Sequence, residues 1–225
     1  MTLLEDLRSG LVVSCQPVDG GAMDHPFIVA AMAKAAITGG AKGVRIEGVE
    51  NVKAVREVIT QPIIGIVKED LSDSPVRITP RIEQAERLAE SGADIIAYDA
   101  TDRSRADSRE RVLGAILSAG RLAMADCSTF KDAQMAVANG ATILGTTLSG
   151  YTADTLGKGP EPDFGLIRDF SRLGGFVMAE GRFNSPELAA RALKEGADSV
   201  TVGSALTRLE LMVDAFCSEM AGRNS

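Results

Sequence analysis

Two side chains of this 225-residue sequence, Lys68 and Glu180, could form an acid/base pair. Each directly follows a short apolar run, Ile63–Val67 for the lysine and Gly175–Ala179 for the glutamate. Burial can leave a lysine partly neutral, so that it acts as a base, and can leave a glutamate protonated, so that it acts as an acid. Held on opposite faces of a carbon centre, the two groups could invert that centre, since one removes a proton and the other returns it from the far side.

Glycine follows each of the last two apolar runs, and in one of the two segments an arginine stands beside it. Gly181 and Arg182 follow one run shortly after its end, and Gly203 and Ser204 follow the other. Glycine lets the backbone approach an anion closely, and arginine can add charge-assisted hydrogen bonds. The glycines would also suit plain tight turns, but the last two loops of an eight-stranded barrel commonly bind phosphate. We therefore expect a phosphorylated small molecule as the ligand.

Further polar side chains lie within or just after other apolar runs: Arg45 is inside the second run, and Gln16, Asp99 and Asp126 each follow a run directly. Arg45 could polarise a carbonyl or hydroxyl oxygen, and Gln16 could hydrogen-bond to a polar ring substituent. The carboxylates could accept hydroxyl protons or hold Lys68 in place. Each residue alone is a weak signal, because barrel interiors also contain structural Arg–Asp pairs. Together they predict the rim of one site.

Both members of the acid/base pair also have a structural alternative. Lys68 could reach solvent and pair with Glu69 or Asp70, since lysine is usually a surface residue. Glu180 could form an ordinary salt bridge with Arg182 at the end of its strand. The sequence leaves these alternatives open.

Eight short apolar runs, separated by helical stretches, predict the elements that would position these residues. Successive runs begin about 20 to 33 residues apart, which is typical of parallel βα units. Eight such units predict an α/β fold, a (β/α)8 TIM barrel forming a single domain over residues 1–225, with its chemistry at the C-terminal ends of the strands. The runs are Leu11–Cys15, Gly43–Ile46, Ile63–Val67, Asp94–Tyr98, Arg121–Ala125, Thr142–Gly145, Gly175–Ala179 and Ser199–Val202.

Helical spacing and capping residues predict the helices between the runs. Leu3, Leu4 and Leu7 predict a short N-terminal helix within Thr2–Ser9 that closes the bottom of the barrel. We expect Thr79 to cap the third of the helices that follow the strands and Thr129 to cap the fifth. Ser204 would cap one long last helix reaching towards Met220. The other predicted helices are Pro26–Ile37, Glu50–Ile59, Asp107–Ala119, Thr129–Asn139, Pro162–Leu173 and Ser185–Glu195.

Composition argues against several classes of partner. The formal net charge of −7 disfavours nucleic acid, whose phosphates select clustered lysine and arginine. No stretch reads as a membrane span, and residues 1–10 lack the basic start and apolar core of a signal peptide. Three scattered cysteines, Cys15, Cys127 and Cys217, favour a reducing interior over a disulfide framework. We expect a cytoplasmic protein with neither a nucleic-acid nor a membrane partner.

The inventory also argues against a metal or a cofactor. The single histidine, His25, stands beside Pro26 at a predicted helix start, where it would act as a cap or a surface residue. It cannot supply a two-histidine metal site, and no Ser-His-Asp triad has positional support. A G-x-G-x-x-G dinucleotide motif is absent from the sequence. We expect chemistry with no metal and no nicotinamide or other cofactor.

Motifs along nearly the whole chain resemble one family. They are Val13–Pro17, Arg45–Gly48, Pro62–Lys68, Gly92–Ala97, Asp126–Thr129, Ile143–Thr152, Ala179–Arg182 and Val202–Arg208. In this order and combination the sequence resembles the bacterial N-acetylmannosamine-6-phosphate 2-epimerases of sialic acid catabolism, although no single motif is specific.

The resemblance implies a metal-independent isomerase that interconverts N-acetylmannosamine 6-phosphate and N-acetylglucosamine 6-phosphate by deprotonation and reprotonation at C2. It assigns Lys68 and Glu180 as the acid/base pair. It further implies a homodimer that uses the last helix. Sugar contacts would come from Gln16, Arg45 and Asp126, and phosphate contacts from Gly181, Arg182, Gly203 and Ser204.

Two other functions remain open at the level of sequence. A Schiff-base aldolase on the same fold could use Lys68 as a covalent nucleophile towards a phosphorylated keto acid. A sensor that only binds a sugar phosphate is the third hypothesis. The facing pair of Lys68 and Glu180 argues against a sensor, because a pure binder has little need of two acid/base groups.

Overall fold

Eight parallel strands close into a barrel in the computed structural model, which describes residues 2–222. Each strand pairs with the next in chain order, and the last pairs with the first, which confirms the predicted (β/α)8 barrel. The strands are β1 (Leu11–Cys15), β2 (Gly43–Glu47), β3 (Ile63–Ile66), β4 (Ile95–Asp99), β5 (Leu122–Asp126), β6 (Ile143–Gly145), β7 (Phe176–Glu180) and β8 (Ser199–Val202).

Helices alternate with the strands, and one short helix precedes β1. That helix places the fully buried Leu7 against Val12 and Phe176 inside the barrel, at the end where the strands begin. It therefore closes the bottom of the barrel, as predicted. The helices are α1 (Leu3–Leu7), α2 (Pro26–Thr38), α3 (Val49–Arg56), α4 (Ile82–Glu90), α5 (Arg109–Ser118), α6 (Phe130–Ala138), α7 (Phe164–Phe170), α8 (Pro186–Lys194), α9 (Ser204–Thr207) and α10 (Leu209–Met220).

Side chains cap two of the helices as the sequence predicts. The hydroxyl of Thr129 accepts the backbone N–H of Asp132 at the start of α6. The Nδ1 atom of His25 accepts the backbone N–H of Phe27 at 3.2 Å at the start of α2. The only histidine of the chain is therefore a helix cap.

The predicted cap at Thr79 is wrong. Helix α4 begins three residues later, at Ile82, and Thr79 has a φ of +45°. Its hydroxyl donates to the carbonyl oxygen of Ala97 at 2.7 Å and accepts the N–H of Val67 at 3.3 Å. Because this hydroxyl is already hydrogen-bonded to β4 and to the residue that follows β3, it is not available to a helix N-terminus.

The single long helix predicted after β8 is also wrong. The segment forms two helices, α9 and α10, and Arg208 lies between them with φ −103° and ψ 77°. Ser204 is the first residue of α9, whose N-cap is Gly203, and no side chain caps that end. The break at Arg208 turns its side chain back towards β1, where Nε donates to the carbonyl of Gln16 at 3.2 Å.

Alternation along the strands places an apolar layer below a polar layer inside the barrel. Asp126 stands two residues after the buried Met124, and Glu180 stands two residues after the buried Met178. Residues two apart in a strand share a face, so these carboxylates also point inward, one layer nearer the C-terminal mouth. The apolar layer comprises Val12, Ile64, Ile66, Ile95, Ala97, Met124, Ile143, Phe176 and Met178.

None of the helices within residues 2–222 is both long enough and apolar enough to cross a membrane.

Candidate active site

One cavity of about 670 Å³ opens at the C-terminal mouth of the barrel. It brings together most of the residues that the sequence predicts for a site, drawn from β2 and from the ends of β1, β3, β7 and β8 with the loops that follow them. Those that line it are Gln16, Arg45, Lys68, Glu180, Gly181, Arg182, Gly203 and Ser204.

Lys68 is the second residue after β3 and is half-buried in the wall of the cavity. Burial lowers the pKa of its amine, and the charges of Arg208 and Arg45 lower that pKa further. Its two acidic neighbours in sequence pair elsewhere, Glu69 with Arg81 at 2.9 Å and Asp70 with Arg77. The structural alternative for Lys68, a surface ion pair, is therefore not formed.

Glu180 is the last residue of β7 and lies four strands away from β3 in the ring of eight. Its Oε2 atom accepts a hydrogen bond from Nη1 of Arg45 at 2.9 Å. Burial raises the pKa of the carboxyl group to about 7, against the opposing effect of Arg45 and with a smaller contribution from Asp126. Glu180 and Lys68 thus lie on opposite sides of the mouth, and burial shifts the pKa of each group in the direction that favours its neutral form.

Arg45 lies on the floor of the cavity and is almost fully buried. Its Nη2 atom donates to Asp126 at 2.6 Å, and Nη1 is shared between Asp126 at 3.2 Å and Glu180. Burial alone would lower the pKa of the guanidinium, but the two carboxylates outweigh it and raise that pKa. Arg45 is therefore a permanent positive charge on the floor of the cavity. Its Nε atom has no hydrogen-bond partner among residues 2–222.

Asp126 does not line the cavity and is completely buried below it. Its two oxygens accept hydrogen bonds from Arg45 and from the hydroxyl of Thr147, the latter at 2.6 Å. Both of these donors do line the cavity. The structure therefore places Asp126 as the support of two side chains that line the cavity.

Asp99, at the end of β4, pairs in register with Asp126 but has different partners. Its carboxylate accepts hydrogen bonds from Arg103 and Arg105, both in the loop that follows its own strand. It does not line the cavity. The structure therefore separates it from the predicted rim.

The side of the mouth near β7 and β8 carries the predicted phosphate-binding residues. Gly181 has a φ of +107°, a conformation that side chains rarely adopt. A Cβ atom at Gly203 would lie 3.3 Å from the Cβ atom of Ser14, so glycine permits the close approach of β8 and β1 here. The guanidinium of Arg182 donates to the carbonyl oxygens of Ser149 and Glu161 and does not pair with Glu180.

Sequence reasoning misses several residues that line the cavity. Arg208 is one of them, because a continuous last helix leaves no reason for it to turn inward. Thr147 and Tyr151 come from the loop between β6 and α7, within the motif Ile143–Thr152, to which no site residue was assigned from the sequence. Others in this group are Ser14, Arg77, Ile78, Asn184, Thr201 and Met212.

Across residues 2–222, no three side chains of His, Cys, Asp or Glu type come together in a way that could hold a metal ion.

Comparison with known proteins gives one consistent result. A family model described as "Putative N-acetylmannosamine-6-phosphate epimerase" matches residues 29–222. The chain is 56% identical to a putative N-acetylmannosamine-6-phosphate 2-epimerase of Pasteurella multocida, over 95% of this chain and 93% of that protein. A protein of the same description from Haemophilus ducreyi is 57% identical, over 93% and 91% of the two chains.

Among solved structures, the N-acetylmannosamine-6-phosphate 2-epimerase from Clostridium perfringens matches with a TM-score of 0.93. It is 36% identical, and the match covers 97% of this chain and 96% of that chain. A thiamine phosphate pyrophosphorylase from Pyrococcus furiosus matches with a TM-score of 0.63 at 18% identity, a level that shows a shared fold alone.

Proposed function

The chain belongs to the N-acetylmannosamine-6-phosphate epimerase family, and we propose that Lys68 and Glu180 perform the proton transfers of its reaction. The enzyme is an isomerase that interconverts N-acetylmannosamine 6-phosphate and N-acetylglucosamine 6-phosphate, a reaction of amino sugar and sialic acid catabolism. One observation supports the assignment of the pair above all. A lysine of lowered pKa and a glutamate of raised pKa stand on opposite walls of a single cavity.

The substrate sets what this pair has to do. The proton on C2 becomes acidic only when C1 is an open-chain aldehyde, so opening of the sugar ring comes first. Removal of that proton gives an enolate, whose oxygen needs a positive charge or a hydrogen-bond donor nearby. Arg45, fixed as a cation on the floor of the cavity, supplies that charge. Return of a proton to the other face of C2 then completes the epimerisation.

The two directions of the reaction need opposite proton distributions. In one direction a neutral Lys68 accepts the proton and a protonated Glu180 donates one. In the other direction the Lys68 ammonium donates and the Glu180 carboxylate accepts. Both states hold one proton in total, so the pair works in either direction as long as it carries a single proton.

The remaining site residues bind and orient the sugar phosphate. Gln16, whose Nε2 atom donates to the hydroxyl of Ser14 at 2.7 Å, keeps its amide oxygen for the sugar. Arg45 contacts the reacting end, and Asp126 acts on the sugar through its hold on Arg45. The phosphate lies on the β7 and β8 side, where the contacts come from Gly181, Arg182, Gly203 and Ser204.

The finer features of the family resemblance are part of the same proposal. The enzyme acts without metal or cofactor, so that activity survives an excess of a strong chelator. Loss of activity that zinc or magnesium restores would contradict this.

Cytoplasmic location is supported by the free thiols of Cys15, Cys127 and Cys217, which suit a reducing compartment. A homodimer is supported by α10, none of whose residues is buried.

Proton NMR of the enzyme with N-acetylmannosamine 6-phosphate in D2O tests the reaction and the pair together. We expect N-acetylglucosamine 6-phosphate with deuterium at C2. With two bases on opposite faces, the first product molecules carry deuterium while the remaining substrate still carries hydrogen. Deuterium entering substrate as fast as product would instead indicate one base serving both faces. Absence of conversion by folded enzyme would contradict the proposed function, and a lysine adduct trapped by borohydride would then indicate an aldolase.

A further inference from the structure

Glu47, the last residue of β2, is hydrogen-bonded to the backbone of Lys68 and has no part in the proposed proton transfers. The paired register of β2 and β3 ends at Glu47 and Ile66. The next backbone N–H of β2, that of Gly48, donates to the carbonyl of Ile66 at 2.9 Å, and Gly48 then turns away with a φ of +88°. The side chain of Glu47 continues the ladder instead, since its Oε1 atom accepts the backbone N–H of Lys68 at 3.2 Å.

This hydrogen bond braces Lys68 where β3 passes into its loop. On the other side of the same residue, Lys68 forms an isolated antiparallel bridge with Ile78. The adjacent N–H of Thr79 donates to the carbonyl of Val67 at 2.7 Å. The backbone from which the Lys68 side chain starts is therefore held from both sides, and Glu47 supplies the only one of these contacts that carries a charge.

Charged groups of both signs surround the Lys68 amine. Arg208, between α9 and α10, and Arg45, on β2, lower its pKa beyond the effect of burial. Asp19, in the loop after β1, and Glu47 raise it. Glu180 also acts on the amine, from β7 on the opposite wall.

Glu47 itself is half-buried. Burial raises its pKa, the contact with Lys68 lowers it, and Asp19 and Asp24 raise it further. Of the three carboxylates that act on the Lys68 amine, those of Asp19, Glu47 and Glu180, only that of Glu47 is also hydrogen-bonded to Lys68.

We propose that Glu47 is a positioning residue of the epimerase, which fixes the backbone of Lys68 and whose negative charge lets the Lys68 amine carry a proton beside Arg45 and Arg208. This role rests on the proposed function, because only a reversible epimerisation needs Lys68 as a base in one direction and as an acid in the other. Two nearby guanidinium groups favour the neutral amine. A carboxylate that balances them keeps both protonation states accessible.

Glu47→Gln tests the electrostatic part, because the amide oxygen can still accept the Lys68 N–H while the charge is removed. The probe is acetic anhydride, applied in trace amounts across a pH series, with acetylation of the peptide containing Lys68 measured by mass spectrometry. We expect the midpoint of Lys68 labelling to move to lower pH by about one pH unit, the lower end of the effect of a nearby charge. Glu50→Gln, which removes an exposed carboxylate three residues away, is the matched control and leaves the midpoint unchanged.

An unshifted midpoint in Glu47→Gln would overturn the electrostatic role. The labelling needs no catalysis, so it still gives a result if the proposed function fails. That failure would show separately, as a wild-type enzyme that does not epimerise.

Kinetics test the positioning part. In Glu47→Gln, we expect the limb of the pH–rate profile that follows Lys68 to move with the labelling midpoint, with KM changed less than two-fold. In Glu47→Ala, which also removes the acceptor, we expect the same shift and, in addition, a kcat lower by at least about ten-fold. A folded Glu47→Ala variant with wild-type kcat would overturn the positioning role, and thermal melting verifies that both variants fold.

Discussion

Burial brings the proton affinities of Lys68 and Glu180 towards one another. Moving a charged group out of water disfavours its charged form, so the same cavity lowers the pKa of the amine and raises that of the carboxyl group. The charge of Arg45 lowers both pKa values, since it disfavours the ammonium and favours the carboxylate, so burial is what brings the two values closer together. A small difference between the two pKa values would let the pair transfer protons in either direction of the reaction at little cost in free energy.

The pH dependence of the reaction follows from these shifts. Below the acid limb the pair holds two protons and lacks a base, and above the alkaline limb it holds none and lacks an acid. We expect a bell-shaped profile of kcat/KM in which both limbs fall between 4.5 and 10.5, the ordinary values of the two groups. Initial rates over a pH series at constant ionic strength measure it. Activity that stays constant down to pH 4.5 would contradict the raised pKa of Glu180.

Removal of the amine should separate chemistry from binding. In Lys68→Ala we expect epimerisation to fall by a factor of about 10²–10⁴ or more, because the variant lacks one of its two proton-transfer groups. Binding of the sugar phosphate, measured by calorimetry, should change much less, since the phosphate side of the cavity is intact. Lys53→Ala, in an exposed position on α3, serves as the control. Wild-type turnover in Lys68→Ala would refute the assignment of this base.

At the scale of single residues, the sequence predicted which side chains lie at strand ends better than it predicted their ion-pair partners. Asp99 and Asp126 both end a buried strand and stand side by side, yet only Asp126 bonds to Arg45. The difference arises because Arg103 and Arg105, in the loop that follows β4, donate hydrogen bonds to the carboxylate of Asp99. Apolar runs locate the end of a strand, but the choice of ion-pair partner depends on which cations the loops bring within reach.

At the scale of elements, the loops after β6 and β7 form one wall of the mouth. Arg182, after β7, donates to backbone carbonyls of Ser149 and Glu161 in the segment between β6 and α7. Its guanidinium also lies 5.6 Å from the ring centroid of Tyr151 in the same segment. One side chain therefore joins these two loops and places a positive charge on the side of the mouth where we propose that the phosphate binds.

The loss of Arg182 should affect phosphorylated ligands selectively. In Arg182→Ala we expect the affinity for N-acetylmannosamine 6-phosphate to fall by about ten-fold or more, since charge-assisted hydrogen bonds are worth roughly 1.5–3 kcal/mol. Affinity for unphosphorylated N-acetylmannosamine should fall much less. Calorimetric titration of both sugars provides the comparison, with the exposed Arg172→Ala as a control. An equal loss for the two sugars would place the phosphate elsewhere in the cavity.

Helix ends were predictable where the capping contact is local in sequence. An example is Thr129, which caps α6 through the backbone N–H of Asp132, three residues later. The errors at Thr79 and Ser204 have a tertiary cause. The Thr79 hydroxyl bonds to Ala97 on another strand, and Arg208 leaves the helical path while its side chain bonds to Gln16 at the end of β1. Both contacts join residues far apart in sequence, which capping preferences and helical periodicity do not represent.

At the scale of the whole molecule, the charge of the cavity is opposite to that of the protein. The chain carries a formal net charge of −7, yet Glu180 is the one acidic side chain among the described residues that line the cavity. The basic ones are Arg45, Lys68, Arg77, Arg182 and Arg208. A concave cationic mouth on an acidic protein can attract a phosphorylated sugar while the rest of the surface repels polyanions such as nucleic acid.

The apolar face of α10 gives the last prediction, which concerns the assembly. Leu209, Val213, Phe216 and Met220 are spaced three and four residues apart, so they share one face of the helix, and all four are exposed. Monomeric proteins rarely leave so many large apolar side chains together in water. We expect the wild-type protein, 23.6 kDa per chain, to sediment with twice that mass. Phe216→Glu should shift it towards the monomer, because the new carboxylate would have to be buried in the interface. Val58→Glu, an exposed apolar position outside α10, should leave the mass unchanged, and a monomeric wild type at micromolar concentration would refute the dimer.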